Sequence, residues 1–91
     1  MIKPVLESYL LNRGYSLNTN GELEKRVSIN DRLYRLIVKA NLNYDSIMIS
    51  YRYVDELINK LRYLVVDNDV SKKELDKLFD KIETTDKYLR K

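Results

Sequence analysis

SIMISYRYVDELINKL, residues 46–61, decides the reading of the fold, because its apolar period changes in mid-stretch with no glycine or proline at the change. Ile47, Ile49, Tyr51 and Tyr53 alternate with Met48, Ser50 and Arg52, the period of a strand with one covered face, over about residues 46 to 54. Val54, Leu57, Ile58, Leu61 and Leu64 then follow at steps of three and four, which predicts an amphipathic helix over about 55 to 65. A strand that enters a helix without a loop turns the helix back over its own sheet face. Packing alone would explain such a junction.

Upstream, Glu22 to Val54 alternates throughout. Asn30-Asp31 and the stretch Asn41 to Asp45 punctuate it, predicting strands at about 22 to 30, 33 to 41 and 46 to 54 joined as an antiparallel meander. Tyr34, Leu36, Val38 and Ala40 share one face of the middle strand and belong to the core. Leu33, Arg35, Ile37 and Lys39 take the other. Before the strands, PVLESYLLNRG sets Val5, Leu6, Tyr9 and Leu10 on one helical face, with Pro4 suited to the first position and Gly14 to the one just past the end. A short extended piece at Tyr15 to Leu17 precedes a turn at Asn18, Asn20 and Gly21. After Asp67 to Val70, Ser71 and Glu74 make a capping box. Leu75, Leu78, Phe79, Ile82 and Leu89 carry a last helix toward the C-terminus. The expected fold is α+β, a three-stranded antiparallel meander with helices on one face in the order α-β-β-β-α-α, a single domain over 1–91.

Composition removes several functions. There is no cysteine and no histidine, so thiol nucleophiles, imidazole bases and the usual zinc ligands are missing. The glycines are Gly14 and Gly21, too few and too far apart for a phosphate-cradling loop. Asp67, Asp69 and Ser71 suggest a calcium loop, but Lys72 and Leu78 stand where it needs glycine and glutamate. Asp55 and Glu56 are neighbours and point apart on a helix. The expectation is a non-enzyme with no catalytic residue, cofactor or metal. No apolar run is long enough for a bilayer, and Glu7 and Asn12 interrupt any signal-peptide pattern, so a soluble cytoplasmic protein with no membrane partner is expected. From Met1 to Tyr53 there are eight Lys or Arg against five Asp or Glu, and from Val54 onward nine against nine. The formal excess of +3 therefore lies in the first half.

Two resemblances attach to these residues. The succession helix, three strands, helix over about residues 3 to 66 resembles the double-stranded RNA-binding domain, and KPVLESYLLNRG is similar to that family's opening. The family grips RNA phosphates with lysines at the start of its second helix. This chain has Tyr53-Val54-Asp55-Glu56 there, whose carboxylates repel phosphate, so the resemblance implies the topology without the RNA contact. RLYRLIVKANLNYDSIMIS and NRGYSLNTNG resemble stretches of small phage-encoded anti-CRISPR proteins that inhibit Cas9, some of which share the α-β-β-β-α-α order. That resemblance implies a viral inhibitor acting in the cytoplasm of a host cell. Such inhibitors often mimic DNA with carboxylates, and this chain is mildly basic, which points to a different mode of occlusion.

The sheet face opposite the helices is the candidate site. It is expected to carry Arg26, Ser28, Arg35, Ile37, Lys39, Met48, Ser50 and Arg52, with Ile37 and Met48 exposed inside a charged rim, the common anatomy of a protein interface. Tyr44, in a turn, and Tyr63, off the apolar stripe of the expected helix, are further contact candidates. A solvated sheet with long side chains lying along it would carry the same residues. The preferred reading is a small protein-binding inhibitor or adaptor that occludes a partner's functional surface. The alternatives are a nucleic-acid binder using Arg26, Arg35, Lys39 and Arg52, and a homodimer through the same face.

Overall fold

In the computed structural model, residues 4–84 are described, with side chains from Leu6 onward. Helix α1 is Pro4–Asn12. The strands are β1 Ser16–Leu17, β2 Leu23–Ile29, β3 Arg32–Leu42, β4 Ser46–Val54 and β5 Asn59–Asp67, and helix α2 is Lys72–Thr84. All five strands pair antiparallel in the order β1-β2-β3-β4-β5. The chain is therefore α+β, as expected, and the two helices among the described residues lie on one face; the sheet has five strands rather than three, and the helix expected over 55–65 is absent.

The helix expected over 55–65 is a tight turn followed by β5. Asp55 N–H donates to the Ile58 carbonyl at 2.9 Å. The Asp55 carboxylate in turn accepts the N–H groups of Leu57 (2.8 Å) and Ile58 (2.7 Å). A side chain that satisfies its own turn competes directly with helix initiation. The following residues, NKLRYLVVD, contain an aromatic and two β-branched side chains that suit a pleated surface. They then pair one to one with β4, from Val54 opposite Asn59 to Ser46 opposite Asp67. The steps of three and four at Leu57, Leu61 and Leu64 came from a turn residue and from leucines on opposite faces of one strand.

Other local expectations hold. Gly14, at φ +103°, ends α1: its N–H reaches the Leu11 carbonyl, and Tyr15 N–H reaches that of Leu10. Ser71 Oγ accepts the Glu74 N–H at 3.2 Å and caps α2. Leu89 lies outside the described residues. The core lies between the helices and the sheet face that bears Leu23, Val27, Ile29, Tyr34, Leu36, Val38, Ala40, Ile47, Ile49 and Tyr53. Leu6 and Leu10 of α1 and Leu75, Phe79 and Ile82 of α2 close it. The ring of Phe79 lies 5.9 Å from Tyr9 and 6.1 Å from Tyr15, so one aromatic joins both helices and the link between α1 and β1. Among the described residues, no helix is long and apolar enough to cross a membrane.

Candidate interaction surface

Since residues opposite one another in a ladder share a face, the register fixes what the uncovered side of the sheet presents. One row runs Glu24, Ile37, Arg52, Leu61; the next runs Arg26, Arg35, Val54, Asn59. On the other side lie Lys39, Ser50, Tyr63 and then Asn41, Met48, Val65. Seven of the eight candidate residues, Arg26, Arg35, Ile37, Lys39, Met48, Arg52 and Tyr63, therefore lie on one face. Tyr44 stands in the turn between β3 and β4, fully exposed.

Two details differ from expectation. Ile37 is only 5% exposed. It sits in register between Glu24 and Arg52, and those two carry ion pairs with Arg35 and Glu22. The same pairs remove the unbroken cationic track. Arg35 makes a bidentate contact to Glu24 at 2.8 and 2.9 Å, and Arg52 Nη2 lies 3.9 Å from the Glu22 carboxylate. Hydrogen bonding from Arg35 is the main reason that the Glu24 carboxyl is held down at about 2. Arg26 stands opposite Arg35 in the register, so the bond to Glu24 also relieves a like-charge contact.

The apolar part of this face lies one strand further out than expected. Leu61, Tyr63 and Val65 on β5 are 42, 62 and 64% exposed and form one continuous row beside half-buried Met48. Leu61 and Val65 escaped sequence reasoning because a helix over 55–65 would scatter them. The alternation of Leu61, Tyr63 and Val65 against Arg62, Leu64 and Val66 was the available signal. On the covered side, Leu64 and Val66 pack against the core. β5 thus presents apolar side chains to both faces.

Away from this face, α1 and α2 are joined by a polar cluster. The Glu83 carboxylate accepts from Arg13 Nε (2.8 Å), the Tyr15 hydroxyl (2.8 Å) and Lys25 Nζ (3.1 Å). The Tyr9 hydroxyl donates to Asp76 at 2.6 Å. Burial, reinforced by the carboxylate each hydroxyl donates to, pushes both tyrosines well above the usual phenol range. Every charge here has a structural partner, so the cluster acts as a clamp between helices. No protein-family model, curated protein or solved structure matches this chain.

Proposed function

We propose that the chain is a small non-catalytic protein-binding domain, an inhibitor or adaptor, that uses its uncovered sheet face to occlude a functional surface of a partner. The observation that carries this reading is the row Leu61, Tyr63 and Val65, apolar and exposed beside Met48, with Arg26, Arg35, Lys39 and Arg52 on the adjoining strands. Apolar anchors rimmed by charge suit a protein partner, with tyrosine and arginine the residues most often carrying the binding energy. The pairing of Arg35 and Arg52 with Glu24 and Glu22 weighs against a phosphate-tracking surface, which needs its cations free to displace counterions.

The resemblance to phage-encoded Cas9 inhibitors gives the proposal its specific form, with a Cas9-type nuclease as the occluded partner in a host cytoplasm. Titrating the purified chain into a guide-loaded Cas9 DNA-cleavage assay tests it. The expected result is stoichiometric inhibition that Met48→Asp and Tyr63→Asp together abolish. Undiminished cleavage at excess protein removes the nuclease as partner. Fluorescence anisotropy with labelled DNA and RNA separates the other class: binding that falls steeply between about 50 and 200 mM salt would move the reading to nucleic acid.

A further inference from the structure

Among the described residues, β5 is bonded on one side only. It runs nine residues, Asn59–Asp67, in unbroken one-to-one register with β4, without proline. The hairpin turn determines which backbone groups face outward. Asp55 N–H bonds the Ile58 carbonyl, so 55 and 58 are the hydrogen-bonded pair that closes the turn, and bonded and non-bonded pairs alternate from there. Lys60, Arg62, Leu64 and Val66 therefore direct their backbone groups to β4. Leu61, Tyr63 and Val65 direct theirs off the edge. The Arg62 guanidinium agrees with this assignment, since its Nη1 reaches the Leu61 carbonyl at 3.0 Å, on the side away from β4.

The residues with outward backbone groups are thus the ones with exposed apolar side chains. Proteins usually protect such an edge by shortening, bulging or charging it, because an unpaired row of N–H and C=O groups is a template for another strand. β5 is neither short nor bulged, and its cations Lys60 and Arg62 stand on the opposite side of the sheet from Leu61, Tyr63 and Val65. We infer that the strand it accepts is β5 of a second copy of this chain, antiparallel about a two-fold axis at Tyr63, giving a continuous ten-stranded sheet. In this register Leu61 faces Val65, Tyr63 faces Tyr63, and the Asn59 amide faces the Asp67 carboxylate. On the other side of the sheet Lys60 faces Val66 and Arg62 faces Leu64. All nine residues are paired, no like charges meet, and each exposed apolar side chain gains an apolar neighbour, as an isologous contact requires. Sliding either copy by two residues places Asp67 against Leu61, or Asn59 against Val65, and leaves strand ends unpaired. The second copy displaces the Arg62 guanidinium from the Leu61 carbonyl and supplies a backbone N–H in its place.

The chain has no cysteine, so Tyr63→Cys introduces a single thiol where the register brings two Cα atoms to about 5.5 Å, within disulfide reach. Mild oxidation is expected to convert Tyr63→Cys to a covalent dimer and to leave Leu33→Cys, 66% exposed but distant on the same face, monomeric. In sedimentation the wild type is expected to run as a dimer that dissociates on dilution. Val65→Pro removes an outward N–H without touching the β4 ladder and is expected to be monomeric with an unchanged circular dichroism spectrum. If Val65→Pro does not fold, the cysteine comparison decides. A wild type that stays monomeric at the highest soluble concentration overturns the inference, and so does equal cross-linking of both cysteine variants. Both readings use Tyr63, which the Met48→Asp and Tyr63→Asp variant alters in each, so the wild type separates them: a monomeric wild type leaves its expected inhibition of the nuclease standing, and a nuclease that the wild type does not inhibit leaves the dimer standing.

Discussion

The Tyr53 hydroxyl donates to the Ile82 carbonyl at 2.7 Å, a buried bond between the end of β4 and α2. The ring of Tyr53 meanwhile packs edge-on to Tyr34 and Tyr51, with centroids 6.3 and 5.8 Å away. Tyr53→Phe keeps the ring and removes the donor, leaving a buried carbonyl without that bond. The expected loss is about 1–2 kcal/mol of unfolding free energy. Urea denaturation checks it: the midpoint should fall at constant slope, and an unchanged midpoint would show that the bond contributes nothing net.

Glu83 gathers three donors from two segments, Arg13 and Tyr15 in the link between α1 and β1 and Lys25 on β2, while its side chain is only 11% exposed. Glu83→Gln keeps the shape and removes the charge that faces two cations. Hydrogen bonds to charged groups contribute more than neutral ones, so a loss of about 2 kcal/mol is expected. Thermal unfolding measures it. Arg13 retains Asp80, so Arg13→Ala in the Glu83→Gln background should cost less than in the wild type, a coupling that a double-mutant cycle reads directly.

The meander was legible because Tyr34 to Ala40 and Ile47 to Tyr53 alternate cleanly and Asn30-Asp31 marks the turn between β2 and β3. The helix ends were legible because Gly14 and Ser71 carry local chemistry that tertiary structure did not override. β5 was not legible: in LINKLRYLV, leucines on both faces of a strand and in a turn fall by coincidence at helical steps. What distinguished the two forms was the capacity of Asp55 to bond the N–H groups of Leu57 and Ile58, together with pairing to β4, a partner that periodicity does not see. The same misreading hid half of the candidate surface. Its cationic half was visible by parity, but parity does not show that Glu22 and Glu24 lie against those cations.

Glu24 should titrate far from its ordinary position. Its carboxyl, ordinarily at 4.5, is drawn down to about 2, chiefly by hydrogen bonding from Arg35. A carboxyl lowered by folding stabilises the folded chain fully above its unfolded value, and that contribution disappears as pH falls through the folded one. Glu24 therefore helps stability above about pH 4.5 and ceases to do so by about pH 2. Carboxyl-detected NMR should place its midpoint near 2, and Arg35→Ala should return it toward the ordinary range. A midpoint near 4 in the wild type would mean that the bidentate contact is not held in solution.

The turn between β2 and β3 places Asn30 and Asp31 at φ 54° and 66°, the paired left-handed geometry of the tightest hairpins. Asparagine tolerates this well. Aspartate at the second position bears a side chain that glycine would not. Asp31→Gly is expected to stabilise the chain by about 0.5–1 kcal/mol, since relief of the left-handed strain outweighs the added freedom of the unfolded chain. A higher melting temperature supports this, and a lower one would show that the Asp31 side chain makes a contribution beyond backbone geometry.

Two substitutions at Asp55 separate the turn that forms β5 from the ion pair beside it. The Asp55 carboxylate accepts two turn N–H groups and also meets Arg32 at 3.0 Å. Asp55→Ala removes both roles and should cost about 1–2 kcal/mol, because the turn donors lose their acceptor. Asp55→Asn keeps a side-chain oxygen for those donors and loses only the ion pair. Arg32 is 42% exposed there, so the change should cost less than about 1 kcal/mol. Hydrogen exchange localises the effect: the amides of Arg62 and Leu64, which bond to β4, should exchange faster in Asp55→Ala than in Asp55→Asn, and Leu36 in the centre of the sheet should change less in both. If the two variants behave alike, the ion pair to Arg32 rather than the turn holds β5 against β4.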